Sequence, residues 1–131
     1  MGFENKRYQL GSYVNVKHLG VSSIKGMDDE MVTIYSDEKL PWHYIKPLEI
    51  SEDHMIDIGF ELLKKISNPH HMDINMCIRI NGRFYFARGI VYDDKSIWSF
   101  YGSGVRYVHQ LQQLIWIIEP TFKINLATFH Q

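Results

Sequence analysis

Cysteine is almost missing from this chain of 131 residues, and the single Cys77 excludes an internal disulfide framework. Met76-Cys77-Ile78 is a strand-like run, so the thiol is expected as a small buried hydrophobe. A cytoplasmic setting is the matching expectation. Long apolar runs are missing too. No stretch approaches the roughly 18 to 20 residues of a membrane span, and Met1 to Leu10 carries no signal-peptide core, so no membrane partner is expected. Charge of one sign is also lacking. Fourteen Lys and Arg stand against 15 Asp and Glu, a formal net charge of −1, which argues against general affinity for nucleic acid. The balance is uneven: residues 1–66 hold 8 basic and 11 acidic residues, and residues 67–131 hold 6 and 4.

Signatures of catalysis are equally scarce. There is no Gly-x-Ser-x-Gly elbow, and Cys77 does not stand at a helix start, where its thiolate would be favoured. Gly102-Ser103-Gly104 precedes a helix but lacks the third glycine and the following Lys-Ser or Lys-Thr of a phosphate cradle. No internal repeat or low-complexity tract is visible. These absences leave no catalytic residue and no cofactor to name.

What is present is a foldable chain. With 45% hydrophobic residues, residues 11–131 are expected to form one α+β domain that buries roughly two thirds of its unfolded surface. A subdomain boundary near residues 48–51 is the alternative, and residues 1–10 read as a flexible arm. The clearest helix is Arg106 to Ile118. Val108, Leu111, Ile115 and Ile118 recur at helical spacing, joined by Tyr107 and Leu114. Trp116 and Ile117 spoil its polar face, so either the N-terminal β unit or another chain is expected to cover them.

Before that helix the pattern is mostly of period two. Tyr13–Val16, Val21–Ile24 and Met31–Tyr35 predict a small N-terminal antiparallel unit of SH3-like strand spacing. Leu40 to Pro47 is extended, with Trp42 as a packed anchor. Ser51 caps a short helix that Gly59 ends, and Phe60 to Leu63 is extended. Residues 74–101 predict a three-stranded meander around Asn81-Gly82, the strongest short hairpin signal. Two registers compete there. A two-residue turn pairs Ile80 with Arg83. A three-residue loop pairs Ile80 with Phe84 and puts Ile78, Ile80, Phe84 and Phe86 on one face; it sorts the faces better and is preferred, although Arg83 then takes a strained loop position. The long helix packs on this sheet, and Thr121–Leu126 is read as a last short strand.

Tyr107-Val108-His109-Gln110-Leu111-Gln112-Gln113-Leu114, with Ile45-Lys46-Pro47-Leu48 leading to Ile58-Gly59-Phe60-Glu61, resembles a family of small uncharacterised proteins of prophages and mobile elements in gut bacteria. The resemblance runs in order over roughly residues 10–126. It implies a β-rich opening, a short helix ending in Gly-Phe, several strands and a closing helix. Gln113 stands where Asn is usual, and Ile115 to Pro120 departs from the usual Thr-Gly ending. The family brings no activity, so no catalytic residue carries over.

Three groups of residues could bind something. His109, Gln112, Gln113, Trp116 and Ile117 on the closing helix suit a protein partner or a homo-oligomer. Arg79, Arg83, Tyr85, Arg88 and Arg106, with Tyr92 and Tyr101, would suit single-stranded nucleic acid if they shared a sheet face. His70, His71 and Asp73 are the densest metal-ligand types, fewer than a convergent site needs without help from elsewhere. The expected function is therefore a non-enzymatic accessory or interaction module. A nucleic-acid binder comes second and a metal-dependent enzyme a distant third.

Overall fold

The computed structural model of the chain describes residues 8–93 and 95–124. Two antiparallel five-stranded sheets and two helices make this an α+β protein, as the sequence predicts. The chain divides into two compact units, the first ending at Leu48 and the second beginning at Glu49.

The first unit is a meander of β1 (Tyr13–Val16), β2 (Gly20–Met27), β3 (Met31–Ile34), β4 (Lys39–Pro41) and β5 (Ile45–Pro47). Their order across the sheet is β4-β3-β2-β1-β5. This pairing leaves β4 and β5 as edges, and closure into an SH3-like barrel is not confirmed by it. The turns explain themselves chemically. Asp28 accepts from the backbone N–H of Glu30 and Met31 at 2.8 and 2.7 Å, which closes β2 onto β3. Those bonds, that from Met31 first, hold its carboxyl below the usual carboxylate range. Alternate residues of the strands, Val14, Val16, Ile24, Val32 and Ile34, then meet in one core with Trp42 and Ile45. Trp42 stands in a single 3₁₀ turn, Trp42–Tyr44, and its indole N–H donates to the Asp28 carbonyl at 2.8 Å. Tyr8, in the segment expected as an arm, is buried with its ring stacked parallel to that indole at 6.0 Å. Residues 1–7 lie outside the described residues.

The second unit runs α1 (Glu52–Ile58), β6 (Glu61–Ser67), β7 (Met72–Ile80), β8 (Arg83–Tyr92), β9 (Lys95–Phe100), β10 (Ser103–Val105) and α2 (Val108–Ile118). Helix α1 begins where its cap predicts. The Ser51 hydroxyl accepts from His54 N–H, and His54 Nδ1 accepts from Ser51 N–H, both at 3.2 Å. Burial pushes the His54 imidazole down, in keeping with Nδ1 accepting that bond. Gly59 ends the helix at φ 127°, a conformation that costs other residues strain.

The sheet order is β10-β9-β8-β7-β6: β7, β8 and β9 are the predicted meander, β6 lengthens the extended segment expected at Phe60–Leu63, and β10 was not expected. The preferred hairpin register is overturned. Ile80 pairs with Arg83 and Ile78 with Tyr85, so the turn has two residues, Asn81 and Gly82, at φ 52° and 81°. Local strain decides this. Asn and Gly tolerate positive φ, whereas the longer loop would place Arg83 there, and the two-residue turn matches the twist of the strands. Phe84 and Phe86 consequently leave the core face. The predicted last strand is also not found over residues 121–124, where no ladder partner pairs with the alternating residues; residues 125 and 126 lie outside the described residues.

One face of this sheet is the core. It carries Ile74, Met76, Ile78 and Ile80 of β7, Tyr85 and Ala87 of β8, and Trp98 and Phe100 of β9, all buried. Phe60, just after α1, meets Phe100 edge-on at 5.7 Å. Helix α2 contributes Val108, Leu111 and Ile115, the predicted stripe.

Candidate functional site

The other face of the second sheet carries the exposed chemistry of this unit. Paired residues of an antiparallel ladder share a face, and the register therefore groups Arg79 with Phe84, Cys77 with Phe86, Asn75 with Arg88, and Asp73 with Ile90. Across the next ladder, Ser99 joins Arg88 and Ile97 joins Ile90. On the opposite side, Ile66 joins Asp73. This open face is apolar at both ends. Phe84, Phe86 and Ile97 are 56%, 60% and 58% exposed.

Between the apolar ends lies a polar belt with a neutral centre. Arg88 donates from Nε and Nη2 to the two oxygens of Asp73 at 3.0 and 2.6 Å, a bidentate pair. The pair holds the Asp73 carboxyl low, chiefly through the hydrogen bond from Arg88. Arg79 instead lies over the Phe84 ring, 5.6 Å from its centroid. Cys77, next to Phe86 in the ladder, is buried as expected.

The residues expected to bind nucleic acid do not share a face. Arg79 and Arg88 do, with Tyr92 farther along the same side. Arg83 and Tyr85 point to the core side, because they pair with Ile80 and Ile78. Arg106 stands ahead of α2, with Nη2 3.0 Å from Glu49. Tyr101 sits just past β9 at φ 52°, its ring 5.5 Å from Tyr85.

The helix candidates divide as well. His109 and Gln112, expected on a polar surface, are buried at 2% and 0% exposure. The stripe that enters the core is thus wider than the apolar residues alone, because 3.6-residue geometry places positions 109 and 112 beside 108, 111 and 115. His109 stacks on Tyr107 at 5.8 Å. Gln113 is half-buried, and so is Trp116, whose indole N–H donates to the Phe122 carbonyl at 2.9 Å. The turn after the helix therefore supplies Trp116 with a partner. Ile117 stays 76% exposed.

His70 and His71 lie in the β6–β7 turn, where His71 Nε2 is 3.2 Å from the Asn68 amide. Asp73 is committed to Arg88. No group of three or more ligand side chains suited to a metal converges among the described residues.

Glu119 was not singled out in the sequence, yet it ties the end of α2 to the hairpin. It accepts from the Tyr85 hydroxyl at 2.8 Å and from the Asn81 amide at 3.0 Å. The Tyr85 bond, then the Asn81 bond, lowers the Glu119 pKa, and the same contact pushes the Tyr85 phenol up. A carboxylate with a depressed folded pKa contributes stability above its ordinary pKa and loses it as pH falls through the folded value. Wild type is therefore expected to melt higher than Glu119→Gln at neutral pH. The gap should close in acid below the carboxylate range. A gap that is the same at both pH values would show that the carboxylate charge plays no part.

No family model matches the chain, and no curated protein and no solved structure matches it.

Proposed function

We propose that this protein is an interaction module of the accessory kind, working by binding rather than catalysis, and that its docking surface is the open face of the second sheet, taken up by a second copy of the chain. The observation that carries this reading is the exposure of Phe84, Phe86 and Ile97 on one face. With Ile66 they offer on the order of 400 Å² of apolar surface, in the range where the largest patch on a monomer is often functional. A standard interface buries about 800 Å² per partner, about 65% of it apolar in homodimers, which calls for roughly 500 Å², most of which this patch supplies. A sheet with helices on one side is completed by another layer on its bare side, and aligned sheet-on-sheet packing is the usual solution. An identical sheet supplies that layer. The neutral Arg88–Asp73 pair also makes covering less costly than a lone charge would, since a buried charge needs a partner. The accessory role in prophages or mobile elements is the part of the proposal that rests on the family resemblance.

Light scattering at tens of micromolar protein is expected to give twice the chain mass. Phe86→Asp, at an exposed position, should leave the fold intact and weaken association roughly thirtyfold or more. A wild-type monomer at that concentration would remove the reading.

A second reading has one observation of its own. Phe84 and Phe86 beside Arg79 form a short stacking platform, which suits single-stranded nucleic acid. It leaves Ile97 and Ile66 unused and finds Arg88 already bound by Asp73. Salt-dependent retention of the wild type on a thymine oligonucleotide, lost in Arg79→Ala, would move it ahead.

A further inference from the structure

The first unit carries a cleft of about 540 Å³ whose walls bring Lys17, His18, His43 and Lys46 together. These residues come from two segments, Lys17-His18 and His43 to Lys46, and are gathered by two local events. The β1–β5 ladder sets Asn15 opposite Lys46, and Lys17 N–H donates to the Tyr44 carbonyl at 2.9 Å, which holds the β1–β2 loop against the 3₁₀ turn. Lys17 is further placed by the Tyr44 ring, with Nζ 5.8 Å from its centroid. His18 stands in the loop at φ 71°, an uncommon conformation for a residue with a side chain.

The chemistry of this cleft has one sign. Among the described residues no carboxylate lines it, and the other polar lining side chain is the Asn15 amide. Elsewhere Lys25 pairs with Asp37, Lys65 with Glu52, Arg88 with Asp73 and Arg106 with Glu49. Among the described residues, none of the four basic residues of the cleft is in an ion pair. The ammonium groups of Lys17 and Lys46 donate hydrogen bonds and accept none, and their positive charge attracts an oxyanion to the cleft.

We infer that this cleft is an anion site that takes a phosphate group, with Lys17 and Lys46 supplying charge and His18, His43 and Asn15 supplying directed hydrogen bonds. It is independent of the open sheet face of the second unit. Its volume leaves room for more than a bare phosphate, so the group is carried either by a small phosphorylated molecule or by a phosphodiester backbone.

Pyrophosphate titrated at constant ionic strength, followed by NMR of the histidine ring protons and backbone amides, tests this directly. The expected result is saturable shifts at His18, His43 and the β1–β2 loop. Lys17→Gln with Lys46→Gln should weaken binding about tenfold or more, whereas Lys25→Gln should leave it unchanged. A second variant, His18→Gln with His43→Gln, serves if the lysine variant does not fold, and is expected to weaken binding as well. Chloride giving the same shifts, or binding unchanged in a folded variant of either kind, would overturn the site. Replacing pyrophosphate by a nucleoside triphosphate and by a thymine oligonucleotide then separates the two carriers: tighter binding of one identifies it.

Discussion

Gly89→Ala is expected to destabilise the protein by about 2–3 kcal/mol, although it adds one methyl group in the middle of a strand. Gly89 pairs with Trp98 across the β8–β9 ladder, and both belong to the core face. A Cβ built on Gly89 would lie 2.6 Å from Cε3, Cζ3 and Cη2 of that indole, closer than real carbon contacts allow. The indole has nowhere to retreat, since Trp98 is 1% exposed. The melting temperature should fall by roughly 5–10 °C. Trp98 Nε1 has no hydrogen-bond partner among the described residues, so Trp98→Phe loses packing and no bond. Trp98→Phe alone should cost about 1–2 kcal/mol. Combined with Gly89→Ala, it should cost clearly less than the two single changes together, because the smaller ring makes room for the methyl. Strict additivity in that double-mutant cycle would show that the two residues do not meet.

Trp42→Ala should have the larger effect, about 3–5 kcal/mol, because it removes the biggest side chain from a core of eight buried residues. Three contacts go at once: burial in that core, the stacked Tyr8 ring, and the bond from the indole N–H to the Asp28 carbonyl. Amide exchange should accelerate throughout β1 to β5. Trp42→Phe keeps most of the burial and loses the bond, and is expected to cost about 1–2 kcal/mol. Trp116→Ala provides the contrast. That indole is only half-buried, so its removal should cost less. Denaturant melts of the three variants measure the ranking, and a Trp42→Ala protein within 1 kcal/mol of wild type would contradict the anchor role of Trp42.

The features legible in the sequence are those decided within a few residues. Ser51 and Gly59 bound α1, and their cap bonds span three or four positions. Trp42 was legible as an anchor from its extended, proline-flanked setting. The stripe of α2 followed from helical spacing, but its width did not. His109 and Gln112 entered the core because neighbouring elements enclosed that side of the helix, which no polarity pattern announces. The location of the hairpin turn was evident from Asn81-Gly82, and its register was not.

That register shows most plainly where the sequence stopped deciding. The strand period is two, so a one-residue difference in the loop moved Phe84 and Phe86 from the core to solvent and Tyr85 from solvent to the core. Sorting apolar residues favoured one answer, and the φ angles of Asn81 and Gly82 produced the other. The sequence by itself determined most of the strands, the caps of α1, the Trp42 anchor and the α+β class, because local backbone preference and hydrophobic period set these. Only the tertiary structure decided which face stayed bare, that Asp73 neutralises Arg88, and that Lys17, His18, His43 and Lys46 line one cleft. The bare face follows from the register of the β7–β8 hairpin, Asp73 and Arg88 stand 15 positions apart, and the cleft joins Lys17 and His18 to His43 and Lys46, so in each case register and side-chain reach outweigh composition.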